Sequence, residues 1–153
     1  MTVAAAGARD LAALVGAEIL AGRWGDAVRK AQDDRDAIAV ARGQRDPRTT
    51  LDTPDLLPTA EELLERVIAL APTLHGLDAA LAPGAMQLLD ERIARAARET
   101  ESEAGARSLA MLEHQRATLR ELESRRDQLA RKMEKALLAL ARLRYQAKRL
   151  RGR

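Results

Sequence analysis

Few residues of this 153-residue chain could carry reactive chemistry. The two histidines, His75 and His114, fall in separate helical stretches with no partner at metal-ligand spacing. The pairs Asp33/Asp34 and Glu61/Glu62 are adjacent in sequence, so their side chains diverge on a helix, where only residues three or four apart share a face. Neither pair suits a general acid/base couple. The absence of cysteine excludes disulfides, thiolate metal sites and cysteine nucleophiles. No phosphate-binding glycine loop, dinucleotide fingerprint or nucleophile elbow occurs. The expectation is a non-enzymatic protein with no cofactor and no metal.

The one strongly charged motif is a cluster of six cations in the last twelve residues, Arg142, Arg144, Lys148, Arg149, Arg151 and Arg153, with no acid after Glu134. Such a cluster can neutralise phosphates without reading sequence. With Leu137, Leu140, Leu143 and Leu150 it also has the form of a basic amphipathic helix suited to an anionic membrane surface. The competing reading is a solvated run paired with acids elsewhere in the chain. The net charge of +3 divides into +9 over residues 107–153 and −6 over residues 1–106, so each half could partner the other. With one Trp, one Tyr and no Phe, stacking platforms for single strands are not expected, and no groove-reading motif is visible.

The element that must position this cluster runs from Arg107 to Arg151, 45 residues free of proline and glycine. Counted in sevens, one column reads Leu112, Leu119, Arg126, Met133, Leu140 and Ala147, and its partner reads Gln115, Leu122, Leu129, Ala136, Leu143 and Leu150. Ten of the twelve are apolar, the pattern of a coiled-coil seam. The spacing predicts a helical rod of roughly 67 Å. Arg126 and Gln115 interrupt the seam; either Arg126 snorkels from a shallow interface, or the two polar residues specify register or oligomer state.

Earlier in the chain, residues 8–42 have helical spacing, with Leu11, Leu14, Val15 and Ile19 on one face and a break around Trp24 at Gly22 and Gly25. Trp24, Val28, Ala31 and Ile38 continue the apolar face, Arg35 intrudes on it, and Arg29, Lys30, Asp33, Asp34 and Asp36 form the solvated face. GRWGDAVRKA (22–31) resembles the second helix of a tetratricopeptide repeat, but no second copy follows, so Trp24 reads as a packing anchor. Residues 43–58, with Pro47, Pro54 and Pro58, read as a linker. Thr59-Ala60-Glu61-Glu62 has the capping-box form and is expected to open the next helix. Its seam, Leu63, Val67, Leu70, Leu74, Leu77 and Leu81, runs through Pro72, so the helix either continues or is replaced there by a second one in register. Residues 98–106 read as a turn.

The flanking segments 59–104 and 107–151 are of nearly equal length. Folding back between them sets Glu61 and Glu62 beside Arg149 and Lys148, Asp78 beside Lys132, and Asp90 beside Arg120. A parallel homodimer would instead juxtapose the six terminal cations, which disfavours it.

Two stretches, PDLLPTAEELLERVIALAPTLHGLD (54–78) and QRATLRELESRRDQLARKMEKALLALARLR (115–144), resemble the helical region that follows the catalytic domain in some bacterial serine/threonine protein kinases. The resemblance spans roughly residues 54–151 and implies a regulatory or dimerisation region. The kinase loops and catalytic motifs are absent, so it implies no catalytic residue here.

These observations predict an all-α, elongated antiparallel helical hairpin or coiled coil. A small N-terminal helical element (1–42) precedes the linker (43–58) and the hairpin (59–153). The expected role is a non-catalytic interaction, scaffold or regulatory module. It would work through homo-oligomerisation or partner-helix docking along Leu112, Leu119, Leu122, Leu129, Met133, Leu140, Leu143 and Leu150. The alternative is an accessory protein that binds nucleic acid or an acidic membrane through its basic end. A cytoplasmic location is expected, because no signal peptide or membrane span is visible.

Overall fold

The computed structural model describes residues 10–44, 54–99 and 101–151, the last without its side chain. Among them the secondary structure is entirely helical: α1 (Leu11–Val15), α2 (Ala17–Ala21), α3 (Arg23–Gly43), α4 (Leu57–Ala80), α5 (Ala85–Ala97) and α6 (Glu103–Arg151). None of these is long and apolar enough to cross a membrane.

The N-terminal helical stretch is cut twice. Asp10 caps α1 by accepting the Ala13 N–H at 3.3 Å. Gly16 then ends α1 at φ 93°, a conformation that a side chain would strain. The second cut falls at Gly22, one residue before α3 begins. Trp24 therefore lies in the first turn of α3 instead of in a break, buried, with the Arg23 guanidinium 4.5 Å from its ring centre. Gly25 lies within the helix for a different reason. A Cβ there would stand 2.0 Å from the Leu20 carbonyl oxygen, so α2 approaches α3 too closely for any side chain.

Helix α4 starts two residues before the capping box. The Leu57 N–H donates to Asp55 Oδ1 at 3.1 Å, and Pro58, which has no N–H to satisfy, fits the first turn. Glu61 is thereby released from capping and accepts a 2.9 Å hydrogen bond from Arg35 Nη2 of α3. The helix continues through Pro72 without interruption. The turn expected over 98–106 is shorter, because α6 starts at Glu103 with Ser102 Oγ accepting the Gly105 N–H at 3.0 Å. The linker positions 45–53 lie outside the described residues.

The contacts of the chain fall into two compact units, and both α4 and α6 contribute to each. The first comprises the described residues up to His75 together with those from Ala130 onward. Its core is drawn from three helices: Val28, Ala31 and Ile38 of α3, Ala60, Leu64, Val67, Ala71 and Leu74 of α4, and Met133, Ala136 and Leu140 of α6. The six buried alanines, Ala41 and Ala147 among them, explain how a core forms without phenylalanine, since small side chains let helix backbones approach and larger aliphatic ones fill the space between. The contacts group residues from across the segments 1–42, 43–58 and 59–153. The apolar face of α3 needs a partner, and the ends of α4 and α6 supply it.

The second unit spans Gly76–Leu129. It holds the end of α4, all of α5 and the first half of α6, and its buried apolar side chains among the described residues are Leu77 and Leu89. Ion pairs link its elements, Arg116 Nε with Asp90 Oδ1 at 2.8 Å and Arg126 Nη1 with Asp78 Oδ1 at 4.0 Å. Both acids thus meet α6 one to two turns earlier than Arg120 and Lys132, the partners expected from the sequence. Arg126 also donates from Nε and Nη2 to Asp127 Oδ1 at 3.1 and 3.0 Å, so carboxylates satisfy this seam residue at the surface.

Candidate functional site

The last turns of α6 present the basic cluster, and the core fixes which of its side chains face out. Met133, Ala136, Leu140 and Ala147 are buried in the first unit, and Leu143 and Leu150 are half-buried. With that side inward, Arg142, Lys148 and Arg149 are exposed. Arg153 and the side chain of Arg151 lie outside the described residues.

Arg144 departs from the expected cluster. Its Nη1 donates to Asp34 Oδ1 at 2.9 Å, and Lys30 Nζ donates to the same oxygen at 2.8 Å. Asp34 is 0% exposed, although the sequence placed it on the solvated face of α3. A buried carboxylate is tolerated only when charge and hydrogen bonds replace its lost hydration. Lys30 and Arg144 supply both at Oδ1, while the buried Oδ2 has no hydrogen-bond partner, so Arg144 serves the junction of α3 and α6 instead of adding to the free surface charge.

A second charged junction joins α3 to α4. Burial lowers the pKa of the Arg35 guanidinium, but its hydrogen bonds to Glu61 and Asp36, with the charges of both, outweigh burial and raise it above the ordinary value. Arg35 thus stays cationic within an otherwise apolar face. His75 is half-buried, with Nε2 3.6 Å from Glu18 Oε1, and His114 is exposed. Among the described residues no group of three His, Cys, Asp or Glu side chains could hold a metal ion.

A gap between Ile38, Ala41, Leu57 and Ala147 has about 10 Å³ of free space, room for about one water. In the second unit an open groove of about 400 Å³ is bordered by Leu88, Leu89, Arg92, His114, Thr118 and Leu119. Its walls are mainly apolar, with a single histidine and no carboxylate. The seam residues Leu112, Leu119, Leu122 and Leu129 are only half-buried in this unit, in contrast to Met133 and Leu140 at 1% and 0% exposure in the first. Met111 and Leu88 are 64% and 51% exposed. This arrangement can dock apolar side chains.

Two features of the structure were not legible in the sequence. One is the burial of Asp34, whose i,i+4 relation to Lys30 was the visible signal. The other is the exposure of Tyr145, 65%, which follows from its position opposite the seam in the heptad count. Comparisons of the chain with protein-family models, with curated proteins and with solved structures gave no match.

Proposed function

We propose that the chain is a non-catalytic helical interaction module that self-associates or docks a partner helix through the apolar surface of its second unit. The observation that carries this reading is the change in α6 along its length. One heptad seam is buried around Met133 and Leu140 but half-exposed at Leu112, Leu119 and Leu122, beside the exposed Met111 and Leu88. Apolar surface left uncovered in this way gains free energy when another apolar face removes it from water. The antiparallel hairpin belongs to the same proposal. The pairs Asp90–Arg116 and Asp78–Arg126, which join residues on either side of the turn before α6, support it.

The likeness to kinase-associated helical regions gives this module a regulatory or dimerising setting, which we propose together with it. The test is the oligomeric state of the purified protein and of a Leu88→Glu/Met111→Glu variant. Both side chains are exposed, so the variant should keep its helicity and lose association. A wild type that stays monomeric and binds no helical partner would end the proposal.

A further inference from the structure

Tyr145 is the only tyrosine of the chain, and it stands 65% exposed on α6, on the side away from the core residues Leu140 and Ala147. Residues three and four positions apart on a helix are surface neighbours. Around Tyr145 these positions hold Arg142, Lys148 and Arg149, all exposed. Arg144 is not part of the group, because it is held by Asp34. The result is an aromatic ring flanked by three cations, with no acid among its i±3 and i±4 neighbours.

We propose that this patch binds single-stranded nucleic acid, with a base stacked on Tyr145 and phosphates contacted by Arg142, Lys148 and Arg149. The aromatic content rules out an extended stacking platform, but one exposed ring can stack one base, and an aromatic face beside cations that follow the backbone is how single strands are held without sequence preference. Competing occupants fit less well. A membrane-surface helix must submerge an apolar face, and here that face is committed to the core, with Leu140 at 0% exposure. A partner helix needs two apolar columns, whereas this surface offers Leu138 and Tyr145 in one column and Lys135, Arg142 and Arg149 in the next. A duplex would use the cations but keeps its bases stacked away from the tyrosine ring.

The experiment uses the full chain with a labelled oligothymidylate of about 20 nucleotides, long enough to span one such patch. Fluorescence anisotropy is read at low and moderate salt, with oligouridylate, a duplex of equal length and phosphatidylserine vesicles as further arms. Three phosphate contacts predict a loss of affinity of roughly 20-fold between 50 and 200 mM salt. Tyr145→Ala should weaken binding about five- to tenfold through lost stacking, and Arg142→Glu/Arg149→Glu should abolish it. Arg107→Glu, an exposed cation of the second unit, should leave it unchanged. Equal binding of oligothymidylate and oligouridylate would support the proposal, since stacking and phosphate contacts ignore the sugar. No binding at low salt, equal or tighter binding of the duplex or the vesicles, or an undiminished Tyr145→Ala variant would each overturn it. Circular dichroism of every variant, whose changes all lie at exposed positions, separates lost binding from lost fold.

Discussion

Asp34 and Arg144 are 110 residues apart in sequence and 2.9 Å apart in the structure, the acid fully buried and the guanidinium partly so. This contact ties the N-terminal helix α3 to the last turns of α6. It converts what reads in sequence as an appendage and a tail into parts of one core.

The pair should be energetically coupled. Asp34→Ala and Arg144→Ala are each expected to lower stability by about 1–3 kcal/mol, because each leaves a charged partner with less compensation. In a double-mutant cycle followed by urea unfolding, the two losses should fall short of additivity by at least about 0.5 kcal/mol. Strict additivity would show that the contact carries no energy.

Two neighbouring leucines on α6 give a sharper contrast. Leu140 is 0% exposed and Leu138 is 54% exposed. Leu140→Ala should cost about 2–5 kcal/mol through lost burial and a residual cavity, while Leu138→Ala should stay within about 0.5 kcal/mol of wild type. Chemical denaturation of the two variants checks the orientation of α6 directly.

At Gly25 the usual sign should reverse. Replacing a glycine inside a helix by alanine ordinarily stabilises by about 0.5–1 kcal/mol. Here the added Cβ would meet the Leu20 carbonyl at 2.0 Å, so Gly25→Ala should lower the melting temperature by displacing α2. A raised melting temperature would refute the close approach.

The start of α4 separates two capping schemes. Asp55 accepts the Leu57 N–H and also pairs with Arg42 at 3.2 Å, so Asp55→Ala should cost about 0.5–2 kcal/mol. Thr59 lies within the first turn, exposed, and Thr59→Ala should be close to neutral in thermal melts. The opposite order would restore the capping box.

The all-helical class was legible because leucine and alanine recur at helical spacing and few glycines or prolines interrupt them. Trp24, Val28, Ala31 and Ile38 could be assigned to a buried face from spacing alone, and all four are buried. Spacing fixes which residues share a face, but not which other helix covers that face. Asp34 was therefore placed with the solvated Asp33, although Lys30 and a residue 110 positions away make its burial tolerable. The same limit applied to Arg144, whose type and neighbours are those of a free surface cation. The helix starts at Leu57 and Glu103 shifted because local capping by Asp55 and Ser102 competed with equally plausible sequence signals.

The account rests most on the uncovered seam of the second unit. Sedimentation velocity of the wild-type chain and of Leu88→Glu/Met111→Glu over a range of concentrations tests it most directly. The account predicts a concentration-dependent dimer or larger species for the wild type and a helical monomer for the variant. A wild type that remains monomeric throughout and binds no helical partner, or a variant that associates as readily as the wild type, would contradict it.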